Sequence, residues 1–222
     1  MPFPSPARVL DKLRDRGFAF SLLNAVHRLH AEYWDQKLRI HSFGGYQLES
    51  EGIVDHDDHD YSPESYLDFR RAMRWLSPDE RRGVFLDCGS GKGRIVLAAA
   101  CYAFRRAIGV EISPVLNRIA ERNLESARPR LRCRDVEFVT ADATTYEFPD
   151  DLTCLFIYNP FGGAVLAAMI ENLRRSLERA PRALALIAST PDRVEEALAG
   201  ADWIAKTDEF HGLRRHTLFR TT

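Results

Sequence analysis

The sequence predicts an α/β fold: a seven-stranded, mostly parallel sheet with helices on both faces, an antiparallel C-terminal hairpin and an N-terminal helical cap. Three observations predict it. From Val84 onward, short apolar runs that suit buried strands alternate with stretches of helical period. A glycine-rich turn, Asp87-Cys88-Gly89-Ser90-Gly91-Lys92-Gly93-Arg94, joins the first of those strands to the next helix. Apolar-rich Trp203–Lys206 and Arg214–Phe219 suggest a closing hairpin.

The elements follow in order. Val9, Leu13, Phe20, Leu23, Val26, Leu29 and Trp34 recur at roughly helical spacing, interrupted at Gly17, and predict one or two helices between Ala7 and Asp35. Residues 43–61, rich in Gly, Asp and His, have no clear period and read as an irregular connector. Ser62-Pro63-Glu64 opens a helix through Leu76, with Leu67, Ala72 and Trp75 as its apolar face, Ser62 as cap and Pro63 in the first turn. Strand Val84–Cys88, helix Arg94–Tyr102, strand Ala107–Glu111 and helix Pro114–Arg128 come next. Strands Val136–Thr140 and Leu152–Asn159, helix Gly163–Arg179, strand Ala183–Ser189 and helix Pro191–Ala199 complete the alternation. Residues 1–60 are expected to form a helical cap and lid, and 61–222 the main domain. In such sheets ligands bind at the carboxyl ends of the strands.

At 222 residues, 45% apolar and 28% charged, the chain can bury a full core. Its net charge of −1 provides no global field toward nucleic acid. No apolar run approaches the ~20 residues of a membrane helix, so no membrane partner is expected. Cys88, Cys101, Cys133 and Cys154 stand singly without a CxxC pair, as buried thiols in a reducing cytoplasm would.

Glycines at 89, 91 and 93 let the backbone turn tightly and approach a ligand, and the helix after them directs its amides at whatever lies above. Glu111 ends the next strand. Two cofactor classes share that context. A dinucleotide fold needs GxGxxG, which would put glycine at 94, where this chain has Arg94.

The observed GxGxG, with Asp87 two residues ahead of it, resembles the first motif of class I S-adenosylmethionine-dependent methyltransferases. That resemblance implies their Rossmann-like fold and S-adenosyl-L-methionine as cofactor. It implies that Asp87, Gly89, Ser90, Gly91 and Gly93 hold the methionine part, and that Glu111, with Ile112 beside it, grips both ribose hydroxyls. Asp142 would accept from the adenine amino group, and the amide of Ala143 would reach a ring nitrogen. Tyr158-Asn159-Pro160-Phe161, ending the fourth strand, stands where amine methyltransferases carry Asn/Asp-Pro-Pro-aromatic. These four would be the catalytic set, with Asn159 also touching the cofactor. The second Pro is absent and Phe161 comes one place early, which departs from methylation of nucleic-acid bases.

Over about residues 60–190 the chain further resembles the non-SET histone lysine methyltransferases (the disruptor of telomeric silencing type) and their bacterial relatives. Asp87–Arg94, Gly109-Val110-Glu111, Asn159–Phe161 and Tyr61-Ser62-Pro63-Glu64-Ser65-Tyr66 carry that likeness. It implies Tyr61 and Ser65 as cofactor contacts on a covering loop, and a protein lysine or a small-molecule amine as acceptor. Those enzymes have Asn-Asn-Phe where this chain has Asn-Pro-Phe, and no nucleosome-binding basic tail is seen. No nucleic-acid partner is expected. O-methylation, another cofactor-derived transfer, and a non-catalytic cofactor-binding scaffold remain as alternatives. His56, His59, Glu64 and Tyr158 are candidate helpers in deprotonating an amine. Asp55-His56-Asp57-Asp58-His59-Asp60 has ligand-like residues, but it reads as a solvated loop, and no metal is expected. Arg70, Arg71, Arg74, Arg174 and Arg175 read as exposed helix faces interleaved with Glu, and Trp34, Trp75 and Trp203 as core or interface residues.

Overall fold

The computed structural model describes residues 18–44, 63–158 and 161–222. Expectations for Ala7–Gly17, the connector, Tyr61, Ser62, Asn159 and Pro160 lie outside the described residues.

Five strands, β1 (Val84–Cys88), β2 (Arg106–Glu111), β3 (Asp135–Thr140), β4 (Leu152–Tyr158) and β5 (Ala185–Ser189), run parallel. β6 (Ile204–His211) and β7 (Arg215–Thr221) form the hairpin, and β7 pairs antiparallel with β5. The order is β3-β2-β1-β4-β5-β7-β6, the seven-stranded mixed sheet that the sequence predicts. Both hairpin strands are longer than their apolar runs, because β6 continues through exposed Glu209 into buried Phe210.

The helices are α1 (Phe18–Leu38), α2 (Tyr66–Ala72), α3 (Arg94–Ala99), α4 (Pro114–Ala127), α5 (Gly163–Arg179) and α6 (Asp192–Ala197). Several end earlier than their apolar periods suggest. α2 stops at Ala72, after which Arg74 and Trp75 donate three residues back, to Arg71 and Ala72, rather than four. α3 stops at Ala99 in the same manner, with Cys101 bonding to Ala98 and Tyr102 to Ala99. α2 also begins later than expected. Ser65, not Ser62, caps it, accepting from Asp68 N at 3.3 Å. Its buried face is Tyr66, Phe69 and Ala72, while Leu67 is only half-buried.

α1 corrects the sequence reading most. Leu23, Val26 and Leu29, expected inward, are 39%, 48% and 66% exposed. The inward stripe is His27, Ala31, Asp35 and Leu38. Two of those four are polar, and burial is tolerable because each is bonded: His27 to Ser65, and Asp35 to Tyr66 and Ser42.

Alternation along the strands divides the core in two. Val84, Leu86, Leu155 and Ile157 face α5 with Met169 and Leu173. Phe85, Phe156 and Ile187 face α2 and α3, where Phe69 stands edge-on to Phe85 and Phe156. By the period of two, Asp87, Tyr158, Ser189 and His216 belong to this second face.

Candidate active site

The chain runs from β1 outward through β2 to β3, then returns to β4 on the other side of β1. That reversal opens a crevice at the carboxyl ends of β1 and β4. Asp87 is level with Phe156, and Glu111 with Thr140, so the predicted acids of β1 and β2 end at the same edge of the sheet.

The glycine turn is held from behind. The amides of Gly89 and Ser90 donate to Val110 O at 2.8 and 3.0 Å. Gly89, Gly91 and Gly93 all have positive φ, of 84°, 54° and 80°. A Cβ on Gly89 would meet nothing within 4 Å, so the turn's outer side is open, whereas one on Gly93 would strike Phe138 at 2.5 Å. Gly93 therefore serves helix–strand packing. Glu111 is buried and spans the two neighbouring turns. Its Oε2 accepts from Gly91 N at 2.8 Å and its Oε1 from Ser113 N at 2.9 Å.

Asp87 is 3% exposed and has no hydrogen-bond or ion-pair partner among the described residues. Burial, then the charges of Glu111 and Glu64, push its carboxyl well above the usual range. Glu64 is buried opposite. Burial alone would raise its carboxyl, but His216, Ser189 and the Ser65 amide outweigh it and leave it below the ordinary value. The two buried carboxyls thus tend in opposite directions, Asp87 toward its neutral form and Glu64 toward its ionised one.

Arg94, which the sequence offered only as a missing glycine, joins the turn to the helices above. Its Nε donates to Ser42 Oγ at 2.7 Å and one terminal nitrogen to Glu64 O at 2.9 Å, while the other stands 3.7 Å from Asp35 Oδ2. Tyr66 and Phe43 lie against the guanidinium. Lys92 donates to the carbonyls of Phe43 and Gly44.

Residues 85–187 match the protein family described as methyltransferase domain. Among solved structures, an RNA methyltransferase from Salinibacter ruber in complex with S-adenosyl-L-homocysteine is 25% identical, with 72% of this chain and 93% of that one covered and a TM-score of 0.52. A SAM-dependent methyltransferase from Aquifex aeolicus (13% identity, 70% and 90% covered, TM-score 0.56) and a ribosomal protein L11 methylase from Lactobacillus delbrueckii subsp. bulgaricus (18%, 70% and 75%, 0.51) share the fold. Among curated proteins nothing matches the chain.

The matched segment holds the glycine turn and Glu111, and the Salinibacter neighbour that shares its fold is described with S-adenosyl-L-homocysteine. Asp87, buried and without a partner among the described residues, would ionise more readily beside a cation than beside a phosphate. Ile112, immediately after Glu111, is 38% exposed.

The other expected residues fall out unevenly. Asp142 is exposed and accepts from Thr144 N at 2.7 Å, a turn-forming bond, while Ala143 is buried beside it. Ser90 is buried with a hydroxyl that has no partner among the described residues. The Ser65 hydroxyl is already shared between Asp68 N and His27 Nδ1, the latter at 2.6 Å. Tyr158 packs on the α2 side, with the Arg214 guanidinium 5.1 Å from its ring, and Phe161 packs on the α5 side, so these two do not share one patch. Arg174 and Arg175 pair with Glu171 and Glu178 on α5, and Trp34, Trp75 and Trp203 pack against the core, as the sequence suggested. Glu64 and Arg94 are the participants that sequence reasoning undervalued. In the sequence Glu64 reads only as a possible helper toward an amine, and Arg94 only as the residue that excludes a dinucleotide pattern.

Proposed function

We propose that this domain transfers the methyl group of S-adenosylmethionine to an amine nitrogen, on a protein lysine or a small molecule. The supporting observation is Asp87, a buried carboxyl without a partner among the described residues, on the sheet face that also carries Tyr158. An amine gains positive charge as it is methylated, and carboxylates with an aromatic ring nearby favour that charge. When bound, the cofactor supplies an electrophilic methyl carried on sulfur. The chain's part is to align the acceptor, exclude water and keep the nitrogen deprotonated. In this reading the side chain of Asn159 and the carbonyl of Pro160 accept hydrogens from the amine, with Tyr158 on the α2 side of them and Phe161 on the α5 side. Asp87, Gly89, Ser90, Gly91 and Gly93 hold the methionine part, Glu111 and Ile112 the ribose, and Asp142 and Ala143 the adenine, with Tyr61 and Ser65 covering them. The four unpaired cysteines support a reducing, cytoplasmic setting.

A second reading, an RNA acceptor, is favoured by the 25% identical neighbour, which is described as an RNA methyltransferase. Transfer of tritium from methyl-labelled cofactor to lysine peptides, small amines and RNA, each offered separately, discriminates the two. Label in an amine pool is expected, and label in RNA alone overturns the proposal. With that acceptor in hand, Asn159→Ala should lower turnover by about 100-fold or more while calorimetry finds cofactor binding intact. Unchanged turnover would remove Asn159 from the mechanism.

A further inference from the structure

Away from the glycine turn, three buried side chains converge where the start of α2 meets the β6–β7 hairpin. Glu64 precedes α2, Asp68 lies in its first turn and His216 is on β7; one ligand atom from each lies within 4.8 Å of the others. Each group is anchored by its outer atom. Glu64 Oε1 accepts from Ser65 N at 2.5 Å, Asp68 Oδ2 accepts from Leu213 N at 2.8 Å, and His216 Nδ1 lies 3.1 Å from Arg214 O. A carbonyl oxygen only accepts, so Nδ1 carries the hydrogen. In the neutral ring Nε2 then presents a lone pair.

That lone pair faces the wrong neighbour. Nε2 stands 3.5 Å from Glu64 Oε2, in side chains that are 0% and 1% exposed, and neither atom has a hydrogen-bond partner. Two carboxylates in a dry site bring a net charge of about −2, more than a single imidazole beside them balances. A divalent cation between them resolves both problems.

We infer that Glu64, Asp68 and His216 form a binding site for a divalent transition-metal ion such as Zn²⁺ or Mn²⁺. One imidazole and two carboxylates suit borderline-to-hard ions of this kind. Two ligands about 2.1 Å from a common ion in tetrahedral geometry stand about 3.4 Å apart, close to the Glu64–His216 separation. The outer bonds match what metal sites require, an imidazole oriented by a backbone carbonyl and carboxylates fixed by amides. The ion clamps α2 to the hairpin and holds Glu64 in place beside the crevice.

The test uses the full chain, stripped with EDTA and titrated separately with ZnCl₂ and MnCl₂. One equivalent should survive gel filtration, and the melting temperature should rise by about 5–10 °C at a hundredfold excess over Kd. His216→Gln and Asp68→Asn should each lose the ion, while the double variant His56→Ala, His59→Ala keeps it. Should His216→Gln fail to fold, the ring ¹⁵N spectrum of the wild type decides: Nε2 must shift when the metal is added. No bound ion, with an imidazolium spectrum at neutral pH, would replace the metal by a proton on Nε2 and overturn the inference. An ion that His216→Gln retains, or that the double variant loses, would overturn it equally.

Discussion

The two halves of the sheet handle polar groups differently. On the β1–β3 half, the acids meet the crevice directly from strand ends, and backbone amides hold them: Glu111 is fixed by Gly91 N and Ser113 N. On the β4–β7 half, polar groups meet one another across elements far apart in the chain, as Glu64 meets His216. The first arrangement is local and leaves Asp87 uncompensated; the second is long-range and nearly dry. Nearness in sequence therefore makes a binding edge legible, and distance hides one.

Four variants break or sharpen this contrast, from the largest effect to the smallest. Gly91→Arg forces a side chain onto a backbone at φ 54° and onto the turn that Glu111 braces, so affinity for S-adenosylmethionine should fall by about 100-fold or more in calorimetry. Undiminished binding would dissociate the turn from the cofactor. Gly109→Ala places a Cβ 2.5 Å from Phe138 and 2.7 Å from Ser90 Oγ, and should cost about 1–3 kcal/mol in urea unfolding.

Asp87→Asn should act in opposite directions on binding and stability. Its carboxyl is raised in the folded chain, so ionising it costs stability as pH climbs from the unfolded value through the folded one. The ligand-free variant should therefore melt higher than wild type at pH 7, by on the order of 2–4 °C, with the gap closing toward acid pH. Cofactor affinity should drop. A variant that melts lower at every pH would show that Asp87 has a partner in the folded chain. On the other half, hydrogen bonds from Arg215, assisted by Lys206, hold the Glu195 carboxyl down at about 2. That network is largely solvated, so Glu195→Gln should cost less than about 1 kcal/mol at pH 7, and still less in high salt. A depressed carboxyl stabilises above its unfolded value, so the difference should fade as pH falls from about 4.5 toward 2. Chemical denaturation across that range measures it.

Most of the sheet was legible because parallel strands buried on both faces leave continuous apolar runs, as in Val84–Cys88 and Leu152–Tyr158. The glycine turn and Glu111 were legible because spacing along a strand–turn–helix unit is itself geometry. Helix ends were not, since the final turns of α2 and α3 tighten without any glycine or proline at the change. The inward face of α1 was misread for a different reason: an apolar count cannot foresee that His27 and Asp35 will find bonding partners from Ser65 and Tyr66. Asp68 and His216 carried no signal at all, because their meeting depends on which hairpin strand pairs with β5.

That pairing has a consequence during synthesis. β7 follows β6 in the chain yet lies between β6 and β5. A ribosome that has produced everything through β6 has made a chain whose β5 edge, Ala185–Ser189, still lacks its neighbour, and the nascent hairpin strand has nowhere to dock. Until residues 215–221 emerge, that edge is free to recruit another nascent chain. Ending translation just before β7 should therefore yield aggregates rather than a slightly shortened enzyme.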